Sequence, residues 1–177
     1  EQGALAMLFA LGGIALYIMF RFQWKFAVGA MIATIHDPLI TAGIFALLGI
    51  PFDLAVLAAL LAIIGYSVND TVVVFDRIRE NFRRVRRGTP LEIMNLSINE
   101  TLSRTLMTSF VTALVVVAML AFGGEALRGF SLALIIGILV GTYSSIFVAS
   151  AVALWLGASP ADLVVAKKDQ DEVDALP

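Results

Sequence analysis

The stretch LAVLAALLAIIGYSVNDTVVVF, residues 54–75, decides the fold of this chain. It is long enough to cross the ~30 Å hydrocarbon core of a bilayer as a helix, which takes about 20 apolar residues. The one charge within it is Asp70. A carboxylate at the centre of a membrane helix costs about 2.5–3.5 kcal/mol, and such residues mark ion or proton pathways. Asp70 is therefore the first candidate functional residue.

Composition places the whole chain in a membrane. Of its 177 residues, 60% are hydrophobic, against about 45–50% in an average soluble domain, and its mean hydropathy is +0.94. The chain has no cysteine and a single histidine, which excludes disulfides, thiolate metal sites and a histidine-cluster metal site. The N-terminal Glu1-Gln2-Gly3 carries no basic signal-peptide region, so we expect it to be an interior position of a longer protein.

Five apolar segments are long enough to span the bilayer. The predicted spans are residues 3–20, 26–48, 54–75, 106–122 and 130–156. Long unbroken runs favour helices over the ten-residue alternation of barrel strands. The sequence therefore predicts an all-α polytopic membrane protein, with a transmembrane domain over residues 1–157 and an acidic tail over residues 158–177.

Lysines and arginines concentrate on one side of these spans, and only Arg128 falls on the other. By the positive-inside rule, we expect the basic loops and the tail to be cytoplasmic. The loop over residues 77–103 holds the basic cluster: Arg77, Arg79, Arg83, Arg84, Arg86 and Arg87. The simplest role for this cluster is to set topology, although binding of anionic lipid, worth ~1 kcal/mol per basic residue, is an alternative.

A helix start lies within this loop. Thr89 can cap, Pro90 fits the first helical position, and Glu92 completes a capping box. Apolar and polar residues mix over the positions that follow. We predict a second, short amphipathic helix at the cytoplasmic interface, which makes the loop a helical hairpin.

Arg104 is the predicted partner of Asp70. Asp70 lies seven residues before Arg77, so about 10 Å inside the boundary, and Arg104 begins the next, antiparallel span. An arginine beside a carboxylate favours its ionised form, and separation lets the carboxylate take a proton. The alternatives are that Asp70 is a static interhelical tie, and that Arg104 pairs with Glu100 or reaches the interface.

Further polar residues surround this pair in sequence. Tyr66 and Ser67 share the helix face of Asp70, and Asn69 adjoins it, so Ser67 and Asn69 are candidates to support a proton relay. His36 and Asp37 lie near mid-membrane before Pro38. Either they form a second titratable site, or they satisfy backbone groups freed by the proline.

Several long motifs resemble the SecF family, the smaller membrane subunit of the bacterial SecDF protein-export complex in the RND transporter superfamily. They are GYSVNDTVVVFDRIREN at 65–81, RRGTP at 86–90, TLSRTLMTS at 101–109, FGG at 122–124, GFSL at 129–132 and HDPLIT at 36–41. Together they cover nearly the whole chain. The family has six membrane helices with a soluble domain after the first, so this chain resembles the C-terminal membrane portion alone.

The resemblance implies a function. SecF works with SecD beside the SecYEG channel, where the proton gradient helps to pull unfolded exported polypeptides out of the channel. The family's intramembrane Asp and Arg, implicated in proton conduction, fall on Asp70 and Arg104, and a further relay Asp belongs to SecD. No cofactor is expected beyond the proton gradient as energy source, and no GxxxxGK[ST] run suggests ATP hydrolysis. The alternatives are an RND-type exporter of small molecules or lipids and a non-conducting membrane scaffold.

Overall fold

The computed structural model describes residues 2–85 and 87–160, and the regular structure in these residues is helical throughout. Six α-helices follow one another, with a π-helical segment between the last two. They are α1 (Gln2–Arg21), α2 (Trp24–Leu47), α3 (Leu54–Arg84), α4 (Pro90–Phe122), α5 (Glu125–Tyr143), the π segment (Ser144–Val148) and α6 (Ala149–Trp155). The predicted acidic tail lies almost entirely outside the described residues.

The all-α membrane architecture is confirmed. Within the described residues, four helical segments are long and apolar enough to cross a bilayer: α2, α3, α4 and the continuous run from α5 to α6. The first predicted span is also helical, and Met7–Arg21 within α1 forms a shorter apolar segment. Each predicted span therefore corresponds to a helix.

The helices α3 and α4 extend beyond the predicted spans. α3 continues to Arg84 rather than ending near Phe75, and α4 begins at Pro90 rather than near Leu106. The prediction of a separate short amphipathic helix is wrong, because no glycine or proline interrupts residues 91–122 and the helix runs on into the membrane. The loop is a hairpin made of the two helix ends.

The predicted start of α4 is confirmed in detail. The backbone N–H of Glu92 donates to Oγ1 of Thr89 at 3.3 Å, and the Thr89 N–H donates to Oε2 of Glu92 at 2.8 Å. Pro90 occupies the first turn, where its missing N–H costs nothing. This reciprocal cap fixes where the hairpin turns back toward the membrane.

Small residues let the last span pack closely on α2 and α3. A Cβ on Gly29 of α2 would lie 2.6 Å from the carbonyl oxygen of Ala149. A Cβ on Gly137 of α5 would collide with the side chain of Ile63 on α3. Gly137, Gly141, Ser145 and Ala149 recur at every fourth position of the last span, and all four are buried.

Polar contacts tie α3 to α4 at the end of the bundle that carries Arg77, which we call the basic end. The Arg77 guanidinium donates to Glu100 at 2.6 Å and to Glu80 at 2.7 Å. The Asn81 amide donates to Glu100 at 2.7 Å and to Oγ of Ser97 at 3.0 Å. These contacts hold the two helix extensions together beyond the apolar core.

The rest of the basic cluster is less engaged. Arg79 lies 3.9 Å from Asp76, which also accepts a 2.7 Å hydrogen bond from Arg21 at the end of α1. Arg83, Arg84 and Arg87 are exposed, and Arg86 lies outside the described residues. The lipid-binding role of this cluster stays a prediction.

The π segment interrupts the last span near its middle. Here the N–H of Ala149 donates to the carbonyl of Ser144, five residues back rather than four. A π segment is a wider turn that takes up one extra residue within an otherwise regular helix. It packs against α2 and α3, so it lies inside the bundle.

Candidate functional site

Asp70 is buried between α3 and its neighbours, with 3% of its surface exposed. Its Oδ2 has no hydrogen-bond partner among the described residues. The hydroxyls of Thr71 and Thr105 are likewise buried without a partner. Because an unsatisfied buried polar group costs about 1–3 kcal/mol, each of these three groups is unfavourable where it stands.

Arg104 lies near Asp70 but does not pair with it. The two form no ion pair, and the guanidinium acts on the carboxylate only through its electric field. Arg104 is exposed and borders a cavity of about 510 Å³ at the basic end. The alternative pairing with Glu100 is not formed either, since Glu100 binds Arg77 and Asn81 instead. Asp70 and Arg104 are therefore not in direct contact, and their joint role stays a prediction.

Two contacts fix the register of α3 against α4. The Tyr66 hydroxyl donates to Oγ of Ser109 at 3.1 Å, and further along, Asn81 donates to Ser97. The helices run antiparallel, so a step forward on α3 is a step back on α4. Asp70, four residues after Tyr66, therefore lies level with Thr105, four residues before Ser109.

Asp37 of α2 occupies a second buried polar position, with no exposed surface. One carboxylate oxygen accepts a short hydrogen bond from the Ser67 hydroxyl, and the other lies 3.0 Å from Nδ1 of His36. Gly141 of α5 closes this position, because a Cβ there would lie 3.5 Å from Oδ2 of Asp37. His36 and Asp37 thus bind each other, and Asp37 joins α2 to α3.

The predicted support for Asp70 is arranged differently. Ser67 serves Asp37 rather than Asp70, and Asn69 points outward, where it is exposed. Asn69 continues a row of small exposed residues on the same face of α3: Ala58, Ala62 and Gly65. This outward face carries only small side chains and the Asn69 amide, a composition that allows close contact with another helix.

A row of hydroxyls on α4 was missed in the sequence. Ser97, Thr101, Thr105 and Ser109 recur every fourth residue, and all four are buried. We call them the hydroxyl row. The spacing was visible in the sequence, but only the burial shows that the hydroxyl face, rather than the apolar face, turns toward α3 and α5. Ser109 extends it to α5 through a 2.6 Å hydrogen bond with Thr142.

The chemistry open to these groups is proton transfer. Residues 2–85 and 87–160 contain no group of three or more His, Cys, Asp or Glu side chains that could hold a metal ion. A buried carboxylate with one free oxygen can take up and release a proton without breaking a protein hydrogen bond. Asp70 has that arrangement, and Asp37 does not.

Comparison with known families decides the identity of this fold. The family described as "Protein export membrane protein SecD/SecF, C-terminal" matches residues 1–159. The chain belongs to this family. The SecF resemblance inferred from the motifs is therefore confirmed.

Curated SecD/SecF-family relatives match along the whole chain. "Protein translocase subunit SecF" of Pseudomonas aeruginosa is 51% identical over 177 residues, covering 100% of this chain and 58% of the relative. The Vibrio alginolyticus protein of the same name is 52% identical over 179 residues, covering 100% of this chain and 57% of the relative. The chain thus spans somewhat over half the length of these translocase subunits.

Two solved structures share the fold. A crystal structure of SecDF from Thermus thermophilus, described as a translocon-associated membrane protein, matches with a TM-score of 0.85 at 50% identity. That match covers 89% of this chain and 22% of the other. SecDF in its super-membrane-facing form gives a TM-score of 0.78 at 49% identity, with 93% and 22% covered. The SecD/SecF fold is therefore shared at both sequence and structural level.

Proposed function

We propose that this chain is the proton-conducting membrane part of a SecF-type subunit. It works with SecD in the inner membrane, where the proton gradient drives the late stage of protein export through the SecYEG channel. The observation that carries the proposal is the buried Oδ2 of Asp70, which lacks a hydrogen-bond partner among the described residues. No enzymatic step on the exported polypeptide is required, because the energy comes from moving protons.

Arg104 supplies the electrostatic control in this proposal. When the guanidinium is near, it favours the ionised form of Asp70, and when it moves away, the buried carboxylate takes a proton. The two side chains are close without being locked in an ion pair, so small helix movements change their separation. Uptake and release of a proton are thereby coupled to a movement of α4 against α3.

SecD is the proposed neighbour on the outward face of α3. An exposed Asn69 in a membrane helix needs a polar partner, and the small residues beside it allow a second helix to approach closely. Solved structures titled SecDF contain this fold as 22% of their chain, which supports a partner in the same assembly. The second half of the relay, a carboxylate on SecD, would then lie beside Asp70.

Two other functions fit the chain less well. A small-molecule or lipid exporter of the RND type is disfavoured, because the relatives over the full chain are named protein translocase subunits. A passive scaffold is disfavoured because Oδ2 of Asp70 has no partner among the described residues, whereas a carboxylate that only holds helices together would accept hydrogen bonds on both oxygens. The Asp70→Asn variant distinguishes a scaffold from a proton relay.

Asp70→Asn in the full SecD–SecF complex is expected to abolish the part of export that depends on the proton gradient. The amide keeps the size of the side chain but cannot be ionised. Export of a preprotein into inverted membrane vesicles, with and without an uncoupler, measures this loss. Glu125→Gln is the matched control, because Glu125 is an exposed acid at the opposite end of the bundle. Unchanged uncoupler-sensitive export in Asp70→Asn would support the scaffold.

A further inference from the structure

The buried face of α4 is unusually polar for a membrane helix. Of its buried residues, four carry hydroxyls at every fourth position, the hydroxyl row defined above. The other buried residues of α4 are Ile93, Met94 and Val116, whereas Met107, Phe110 and Leu114 are exposed. Between residues 97 and 109, the buried positions of α4 therefore carry hydroxyls rather than apolar side chains, so apolar packing does not explain this part of the interface.

The middle of the hydroxyl row lies level with Asp70. Thr105 lies level with Asp70 by the register of α3 and α4, and Thr105 is 1% exposed. Its Oγ1 has no hydrogen-bond partner among the described residues, and neither has Oδ2 of Asp70. Two buried polar atoms without a protein partner in the described part of the chain therefore lie at one level of the α3–α4 interface.

The next member of the row opens to the basic end. Thr101 lines the 510 Å³ cavity together with Arg104 and Glu100. The other charged groups around that cavity are Asp76, Arg77 and Glu80. Ser97 and Ser109, at the ends of the row, are occupied by Asn81 and by Tyr66 with Thr142. Thr101 and Thr105 are therefore the two members between the cavity and Asp70, and the Thr101 hydroxyl also donates to the carbonyls of Ser97 and Ile98, each 3.1 Å away.

We propose that Thr101 and Thr105 carry protons between Asp70 and the cavity at the basic end. This inference rests on the proposed function and names the route by which Asp70 exchanges its proton with the aqueous phase. A step of four residues along α4 is about 6 Å, the reach of two hydrogen bonds, so one water between the hydroxyls completes the chain.

Each transfer along this route balances. A hydroxyl oxygen accepts a proton from the Asp70 side and releases its own proton toward the cavity. One O–H bond forms as another breaks, and each threonine ends neutral. One proton has then moved from the carboxylic acid of Asp70 to water in the cavity, beside the carboxylates of Glu80 and Glu100.

Paired substitutions at Thr105 test the route. Thr105→Val keeps the shape but removes the hydroxyl, whereas Thr105→Ser keeps the hydroxyl. Proton flux under an imposed pH gradient is measured with a trapped pH-sensitive dye in proteoliposomes holding the full SecD–SecF complex. We expect Thr105→Val to lower the flux about a hundredfold, the lower range for loss of a positioned proton-transfer group, and Thr105→Ser to retain most of it.

Thr112→Val is the matched control. Thr112 lies on the same helix and donates to its own backbone, to the Thr108 carbonyl at 2.8 Å, but it stands away from the row. Its flux is expected to equal that of the unchanged complex. Co-purification of SecD shows that each variant assembles, and Thr101→Val repeats the test one turn away if Thr105→Val does not assemble.

The outcomes separate this inference from the proposed function. Loss of flux in both Asp70→Asn and Thr105→Val, with flux retained in Thr105→Ser, supports both. Loss in Asp70→Asn with normal flux in Thr105→Val and Thr101→Val overturns the hydroxyl route and leaves the relay intact. Normal flux in Asp70→Asn overturns the relay itself, and the route with it.

Discussion

Asp37 and Asp70 are buried carboxylates on neighbouring helices, but their surroundings differ. Asp37 is bound on one oxygen by Ser67 and on the other by His36, whereas Oδ2 of Asp70 has no partner in the described part of the chain. A satisfied buried polar group holds helices in one arrangement, and an unsatisfied one is free to change its protonation. We therefore propose a positioning role for Asp37 and proton transfer for Asp70.

Substitution of Asp37 is expected to affect stability more than conduction. Asp37→Ala removes the acceptor of the buried Ser67 hydroxyl and should destabilise the complex by about 1–3 kcal/mol. Asp37→Asn keeps an acceptor oxygen and should lose much less. Thermal unfolding of the purified complex measures both variants. If Asp37→Asn assembled normally yet stopped proton flux as Asp70→Asn does, Asp37 would itself belong to the relay.

For single residues, the sequence identifies the candidate functional side chains but not their hydrogen-bond partners. A lone carboxylate in a long apolar run is visible without coordinates, so Asp70 and Asp37 were both found. Spacing along α3 places Ser67 on the face of Asp70, but it cannot show how α2 is rotated about its own axis. That rotation, set by the packing of Gly29 and Gly141, brings Asp37 rather than Asp70 to the Ser67 hydroxyl.

At the scale of the helices, α2 and the last span pack closely at Gly29. The obstacle to a larger residue there is the Ala149 carbonyl, a backbone atom that cannot move without shifting α6. Gly43 on the same helix has no atom within 4 Å of the position that a Cβ would take. One helix thus offers both a glycine required by packing and one that packing does not require.

Gly29→Ala is expected to destabilise the bundle by about 1–3 kcal/mol, the usual cost of overpacking. Gly43→Ala should be neutral or stabilising by up to about 1 kcal/mol, because alanine is the better helix former. Thermal unfolding in detergent compares the two variants directly. Equal effects of both substitutions would show that α2 does not pack on α6 as described.

The sequence predicts where each membrane-spanning helix lies, but it does not predict how far α3 and α4 extend. Hydropathy finds the apolar core of each span, and it stops where charges begin. α3 and α4 continue through charged sequence because the ion pairs of Arg77 and the cap at Thr89 sustain them. Apolar content carries no information about these contacts, so it predicts a separate helix where α4 in fact continues.

For the molecule as a whole, the outward face of α3 is the surface that we expect to bind another membrane helix. Asn69 is exposed there with Ala58, Ala62 and Gly65, and a bilayer offers an amide no hydrogen bond. Hydropathy predicted the order of the helices, but it gave no indication of which face meets another subunit. That information comes only from the burial of the assembled bundle.

Ala62→Phe is expected to weaken the association with SecD. A phenyl ring on this face would hold the neighbouring helix away, and an overpacking cost of about 1–3 kcal/mol corresponds to an affinity loss of about five- to 150-fold. Ala46→Phe is the control, because Ala46 is an exposed alanine on α2. Co-purification of tagged SecD measures both. Equal recovery of SecD with the two variants would place the SecD contact elsewhere.

The π segment at Ser144–Val148 sets which changes of chain length the last span can absorb. It holds one residue more than a regular helix needs for the same rotation. Deletion of a single residue within it leaves an unbroken α-helix whose two halves keep their faces, with Gly137 toward Ile63 and Ala149 toward Gly29. The same deletion at residues 134–136 turns every later side chain by about 100°. Related chains that differ by one residue in this span should therefore differ at the π segment.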